Sequence, residues 1–297
     1  MKLASGPVLA IHVPAGTSVG DLKSDGHDGV WYVVYPTDQV CHWSGVGDPL
    51  CIDTGARDPR MLTVGPDGTV WLTFSNVAQL GSVGSSGKLI TQAIPSGRIA
   101  WGVAAAADGR AWFTESHLCS GTTCNGAIGV ATSAGVVEFN TPDRLPGWIA
   151  YGGNGRMWVG DSRGLGLVSG SGETAWFPTD GALVGFDWLT LGADGNIWFE
   201  RDGQQPPSVG VTTPGGQNRL FDFPDRSRHL GSVAMGPDGN IWLDTSVPGK
   251  LGKVTMDGAI SEVSLPWPDA RGAVIASSRE GLWLTDGRTV WWLRLIP

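Results

Sequence analysis

Seven times along this chain a glycine turn is followed by an apolar residue and a tryptophan, and no other feature restricts the fold so tightly. The copies run from His27-Asp28-Gly29-Val30-Trp31 through Gly65-Pro66-Asp67-Gly68-Thr69-Val70-Trp71 to Arg279-Glu280-Gly281-Leu282-Trp283. Their tryptophans (Trp31, Trp71, Trp112, Trp158, Trp198, Trp242 and Trp283) stand 40, 41, 46, 40, 44 and 41 residues apart. A period of about 40–45 residues is the length of one four-stranded propeller blade. The expectation is all-β structure: a seven-bladed β-propeller that takes residues 1–297 as a single domain. The 46 glycines and 19 prolines supply the tight connections such a ring needs.

Each copy has a mechanical reading. Proline sets φ, aspartate caps the turn and glycine accepts positive φ, so the motif joins the innermost strand, A, to strand B, which carries the tryptophan. A second glycine turn, as in Thr255-Met256-Asp257-Gly258-Ala259, joins strands C and D. The motif tryptophans are expected to pack between neighbouring blades. The last blade runs out after its strand C at residues 289–295, so its strand D is assigned to the N-terminal stretch Val8-Leu9-Ala10-Ile11-His12-Val13-Pro14. Closing the ring in this way hides two sheet edges.

Composition narrows the function classes. A net charge of −8 offers no basic surface to phosphates, which argues against nucleic acid as a partner. No run of about 18 apolar residues is present, so no membrane span is expected. The opening residues Met1-Lys2-Leu3-Ala4-Ser5-Gly6 lack the apolar stretch of a signal peptide. Cys41 and Cys51 flank a turn-rich stretch, while Cys119 and Cys124 bracket a short polar loop; both pairs suit local disulfides. Disulfides imply a secreted or periplasmic protein, with free thiols in the cytoplasm as the alternative. The chain is read as a monomer.

If the Asp-Gly turns lie at one end of the ring, the starts of strands A and the ends of strands B meet at the other. Ligand sites form at such mouths. Counting positions from each motif tryptophan gathers Arg60, Trp101, Trp148, Asp187, Trp188 and Arg201 there, as binding residues for a small molecule or peptide. His229 and His117 are the histidines of that face, and with Asp286 they are the candidates for proton transfer. Glu115 and Asp244, together with Asp161, Glu200 and Asp286, make a partial ring of carboxylates that could hold Mg²⁺ or Ca²⁺. Each acid also has a plainer reading as a solvated or arginine-paired group. No nucleophile motif stands out.

The repeat Gly236-Pro237-Asp238-Gly239-Asn240-Ile241-Trp242, followed by Leu251-Gly252-Lys253-Val254-Thr255 and Ile260-Ser261-Glu262-Val263, resembles the streptogramin B lyase (virginiamycin B lyase) family, and the likeness covers nearly the whole chain. The resemblance implies a seven-bladed propeller that linearises a cyclic depsipeptide antibiotic. It implies further that a base removes the proton α to the ester while Mg²⁺ polarises the carbonyl, so that elimination rather than hydrolysis opens the ring. The family carries Glu-x-His at the start of a late strand A, a Glu beyond the following strand B and a His in the preceding blade. Here those places fall at Arg271-Gly272-Ala273, at Asp286 and at Gly231, with His229 two residues away. The resulting expectation is a carbon–oxygen lyase-like propeller acting on a cyclic peptide, depsipeptide or related natural product, with the catalytic pattern not kept. Three alternatives stay open: a non-catalytic glycan- or peptide-binding propeller, a ring re-tooled for a different elimination or cyclisation around Arg60, Asp187 and Arg201, and a purely structural ring.

Overall fold

Every repeat motif closes a hairpin, and the second copy shows how. Thr63 pairs with Trp71 and Val64 with Val70. Between them the Gly65 N–H donates to the Thr69 carbonyl at 2.8 Å, and Gly68 sits at φ +80°, a conformation that a side chain would strain. The Asp67 carboxylate accepts the Thr69 N–H at 3.0 Å. That backbone donation holds its carboxyl below the usual carboxylate range.

A computed structural model describes residues 2–3, 9–55, 57–115, 125–132, 134–179, 188–201, 206–267 and 274–296. Six four-stranded antiparallel sheets each run A-B-C-D in chain order, from Ser18–Asp53 for the first blade to Val233–Ser264 for the sixth. The seventh has five strands, three of them from the C-terminal end: Val274–Ser277, Gly281–Thr285 and Thr289–Ile296. Leu9–His12 completes it, with Leu9 opposite Trp292 and His12 opposite Thr289. The ring therefore closes with the N-terminal strand, as the repeat count requires. One strand was not foreseen: Lys2–Leu3 pairs with Ile296 and Leu295 at the far end of the same partner.

The motif tryptophans do pack between blades. Trp112 joins Ile149, Met157 and Val159 of the next blade, Trp158 joins Ile197 and Phe199, and Trp198 joins Val233 and Ile241. These three indoles have no exposed surface, so each inter-blade seam is a dry wedge of about the energy of a buried core residue. Cys41 and Cys51 face each other on strands C and D of the first blade and form a disulfide. Cys119 and Cys124 lie outside the described residues.

The end of the ring opposite the Asp-Gly turns is built differently. In the first three blades strand A gains one residue over strand B near its start, between Val19 and Leu22, Pro59 and Leu62, and Ala100 and Val103. Such a bulge re-aims the side chains it contains. The residues inside the second and third bulges are Arg60-Met61 and Trp101-Gly102.

Candidate functional site

Strand-B threonines fill the bulges and tie each one to its neighbour. Thr73 Oγ1 accepts the Met61 N–H at 3.3 Å and donates to the Trp101 carbonyl of the next blade at 2.9 Å. Thr114 Oγ1 repeats the arrangement, accepting the Gly102 N–H at 3.0 Å and donating to the Gly147 carbonyl. Asp21, almost wholly buried, accepts the Leu62 N–H of the second blade at 3.0 Å on one oxygen and the Lys23 ammonium at 2.6 Å on the other. The mouth is thus stitched blade to blade by side chains, which fixes the backbone that carries its aromatic residues.

Those aromatic residues converge. The Arg60 guanidinium lies over the Trp101 indole, 3.6 Å from the ring centroid. The Tyr35 hydroxyl donates to the Arg60 carbonyl at 2.9 Å, so the backbone beneath the guanidinium is held as well. Trp148 and Trp188 stack with centroids 3.9 Å apart and planes 27° from parallel. Trp188 belongs to the fifth blade, yet it packs against hydrophobic clusters of the first and seventh blades, of the second and third, and of the sixth. Its indole therefore reaches over the axis, where Lys23 Nζ stands 5.6 Å from its centroid. Beneath the stacked pair runs an axial cavity of about 490 Å³, lined by residues of all seven strands A, among them Lys23, Met61, Val103 and Met235.

The remaining candidates are dispersed. Arg201 ends strand B of the fifth blade, half-buried, its Nε enclosed without a hydrogen bond among the described residues. His229 is exposed on the linker into the sixth blade, and the carboxylate of Asp244 abuts Gly231 of that linker, 3.1 Å from where a Cβ would stand. Asp286 is exposed and accepts the N–H groups of Arg288 and Thr289 at 2.8 and 2.9 Å. It caps a turn and borders a groove with His12 and Tyr35 at the closing seam. His117 and Asp187 lie outside the described residues, as do Arg271, Gly272 and Ala273.

Glu115 takes a place that its position in the sequence did not suggest. Its carboxyl has no exposed surface and sits between the second and third blades. Ser96 Oγ donates to it at 3.2 Å and Arg98 stands 3.5 Å away. Burial, reinforced by the neighbouring Glu138 carboxyl, pushes its pKa up to about 7. Asp161 is similarly engaged, gripped through both oxygens by Arg144 at 2.9 and 3.1 Å. Glu115 and Asp244 belong to the third and sixth blades, and among the described residues no three His, Cys, Asp or Glu side chains come together to hold a metal ion.

Position counting missed the threonines Thr73 and Thr114, although each follows its motif tryptophan by two residues. It also missed Lys23, which pairs with Asp21 to anchor the mouth in the first blade.

Comparison with known proteins adds a family. The sequence model of the virginiamycin B lyase family matches residues 137–290. Virginiamycin B lyase of Nocardia farcinica (strain IFM 10152) is 28% identical over 228 residues, which span 75% of this chain and 75% of that protein. Among solved structures, selenomethionine-substituted virginiamycin B lyase of Staphylococcus aureus superposes with a TM-score of 0.82 at 21% identity, over 98% of this chain and 99% of that one. A catalytically inactive variant of the S. aureus enzyme with quinupristin gives a TM-score of 0.83 at 20% identity, with the same coverage. These two likenesses speak for the ring itself.

Proposed function

Because the chain belongs to the virginiamycin B lyase family, we propose that its indole-lined mouth binds a cyclic peptide, depsipeptide or related natural product and opens an ester in it by elimination. The observation that carries this reading is the stacked Trp148–Trp188 pair over the axial cavity, with the Arg60 guanidinium over Trp101 beside it. Aromatic faces with few fixed charges suit a large ring whose exterior is partly apolar. Quinupristin, present with the S. aureus variant, is the natural first ligand to offer.

In the proposed reaction a base takes the proton α to a carbonyl, its electron pair forms a carbon–carbon double bond, and the ester oxygen leaves as a carboxylate. His229 and His117 are the proposed bases, with Asp244, Asp286 and Glu115 as the acids that orient or donate. A Mg²⁺ held by one or two of these acids together with water would polarise the carbonyl. The Cys41–Cys51 disulfide supports export to an oxidising compartment as part of the same proposal.

Incubation with quinupristin, with and without EDTA, followed by chromatography and mass measurement, tests this. Elimination gives a product of unchanged mass, shifted retention and new ultraviolet absorbance, whereas hydrolysis adds one water. Arg271-Gly272-Ala273, standing where the family carries Glu-x-His, favours the second reading of a binder without chemistry. Saturable binding with the ligand recovered unaltered selects that second reading, and absence of binding sinks both.

A further inference from the structure

Four arginines on the linkers that lead into strands A are tied to the scaffold. Arg57 donates to the Thr54 carbonyl at 2.5 Å and to Gln79 at 3.1 Å. Arg98 stands 3.5 Å from Glu115, Arg144 grips Asp161 at 2.9 Å, and Arg228 stands 3.1 Å from Asp225 and 2.5 Å from Glu262. Arg60 differs from all of them. It is half-buried at the mouth, no described carboxylate lies in ion-pair range, and its side chain donates no hydrogen bond to a described residue. Among the described residues its side chain touches the Trp101 face, and a guanidinium carbon 3.6 Å over an indole centroid leaves edge N–H donors of the fork for an acceptor.

The surroundings hold that fork still. The bulge between Pro59 and Leu62 aims Arg60, Tyr35 holds its carbonyl, and Thr73 holds the carbonyl of Trp101 beneath it. A fixed planar cation with no described carboxylate in ion-pair range matches the planar, bidentate geometry of a carboxylate, so little freedom is lost on pairing. We propose that Arg60 is the carboxylate receptor of the mouth: it engages the ester that is to be broken and takes up the carboxylate that the elimination releases. The inference rests on the elimination reading above and specifies which group of the substrate the mouth recognises. As the carbon–oxygen bond breaks, its electron pair stays on the ester oxygen, and the negative charge grows next to the guanidinium, where it is stabilised more than the neutral ester was.

The test measures binding, by quenching of the mouth tryptophans, of three probes: a cyclic depsipeptide closed by one ester, its linear free acid, and the methyl ester of that acid. The wild-type chain binds the acid roughly tenfold more tightly than the methyl ester, as expected of a charge-assisted bidentate pair. Arg60→Gln abolishes that preference: the acid loses about tenfold in affinity, and the neutral cyclic and methyl-ester probes, which bring no charge to the fork, lose less. Arg60→Lys, with a point charge and no fork, restores only part of it. Unchanged near-ultraviolet circular dichroism in both variants separates the effect from unfolding. Equal binding of acid and methyl ester by the wild type, or equal loss of both in Arg60→Gln, overturns the role of Arg60 while cyclic-probe binding still upholds the mouth. If none of the three probes binds, the elimination reading and the role of Arg60 fall together.

Discussion

The two ends of the ring solve the same problem, how to join strands A and B of each blade to their surroundings, in opposite ways. At the turn end an aspartate makes the same local bonds in blade after blade, with Thr63 and Thr190 adding single bonds to Ala105 and Met235 of the next blade. Asp67 accepts from Thr69, Asp194 from Asn196 and the Trp198 indole, and Asp238 from the Trp242 indole and Lys253. At the mouth the described bonds cross between blades through side chains that change along the ring, from Leu62 to Asp21, from Thr73 to Trp101 and from Ile275 to Ser232. Repetition marks what the toroid needs in order to exist. Departure from it, in the bulges, in Arg60 and in the stacked pair Trp148 and Trp188, coincides with the surface proposed above to receive the ligand.

Two tryptophans test that division with the largest expected effect. Trp198, wholly buried and bonded to Asp194 at 3.1 Å, is scaffold. Its replacement in Trp198→Ala leaves a cavity between the fifth and sixth blades and costs about 3–5 kcal/mol in urea unfolding. Trp188 is half-buried over the axis, and Trp188→Ala costs about 1–2 kcal/mol while removing ligand binding. Equal destabilisation by the two substitutions would erase the distinction between wedge and mouth.

A second pair separates structural from receptive arginines within the mouth. Asp161 is buried to 2% side-chain exposure, and Arg144→Ala strands its charge. That change is expected to lower stability by about 3 kcal/mol, because an uncompensated buried carboxylate is left behind. Arg60→Gln strands no described carboxylate and should move stability by about 0.5 kcal/mol or less. A large loss from Arg60→Gln would mean that its guanidinium neutralises part of the scaffold after all.

The same division explains what could be read from the sequence. The blade count, the hairpin turns, the inter-blade tryptophans and the closing strand all follow from a pattern repeated often enough to reveal its own period. Arg60, Trp101, Trp148 and Trp188 were also within reach, because distance from a motif tryptophan fixes which end of a strand a residue occupies. What that count lacks is the direction of a side chain. Glu115 lies at the mouth end of its strand, but it falls two residues after Phe113 and so shares the face turned to the second blade. Counting alone could not separate it from an acid aimed at the axis. The bulges were hidden for a related reason: an extra residue in strand A shows only against its partner, and pairing register is a property of two strands.

Glu115 supplies the most discriminating effect, because it reverses the behaviour of Asp67 and Asp238 at the turn end. In the fold its carboxyl keeps its proton up to about pH 7, against an ordinary value of 4.5. Between those values the folded chain holds a proton that the unfolded chain has lost. Stability therefore falls as pH rises through this window and levels off above it. The amount is on the order of 2 kcal/mol. Asp67 runs the other way: its lowered pKa gives stability that is present at neutral pH and lost as pH falls through the acidic range. Glu115→Gln, which keeps the shape of the carboxyl but cannot ionise, should match the wild type near pH 5 and exceed it near pH 8, by on the order of 2 kcal/mol. Unfolding curves at the two pH values decide the matter. Parallel profiles for the two proteins would mean that the carboxyl between the second and third blades ionises freely, and that the mouth end, like the turn end, leaves no acid under strain.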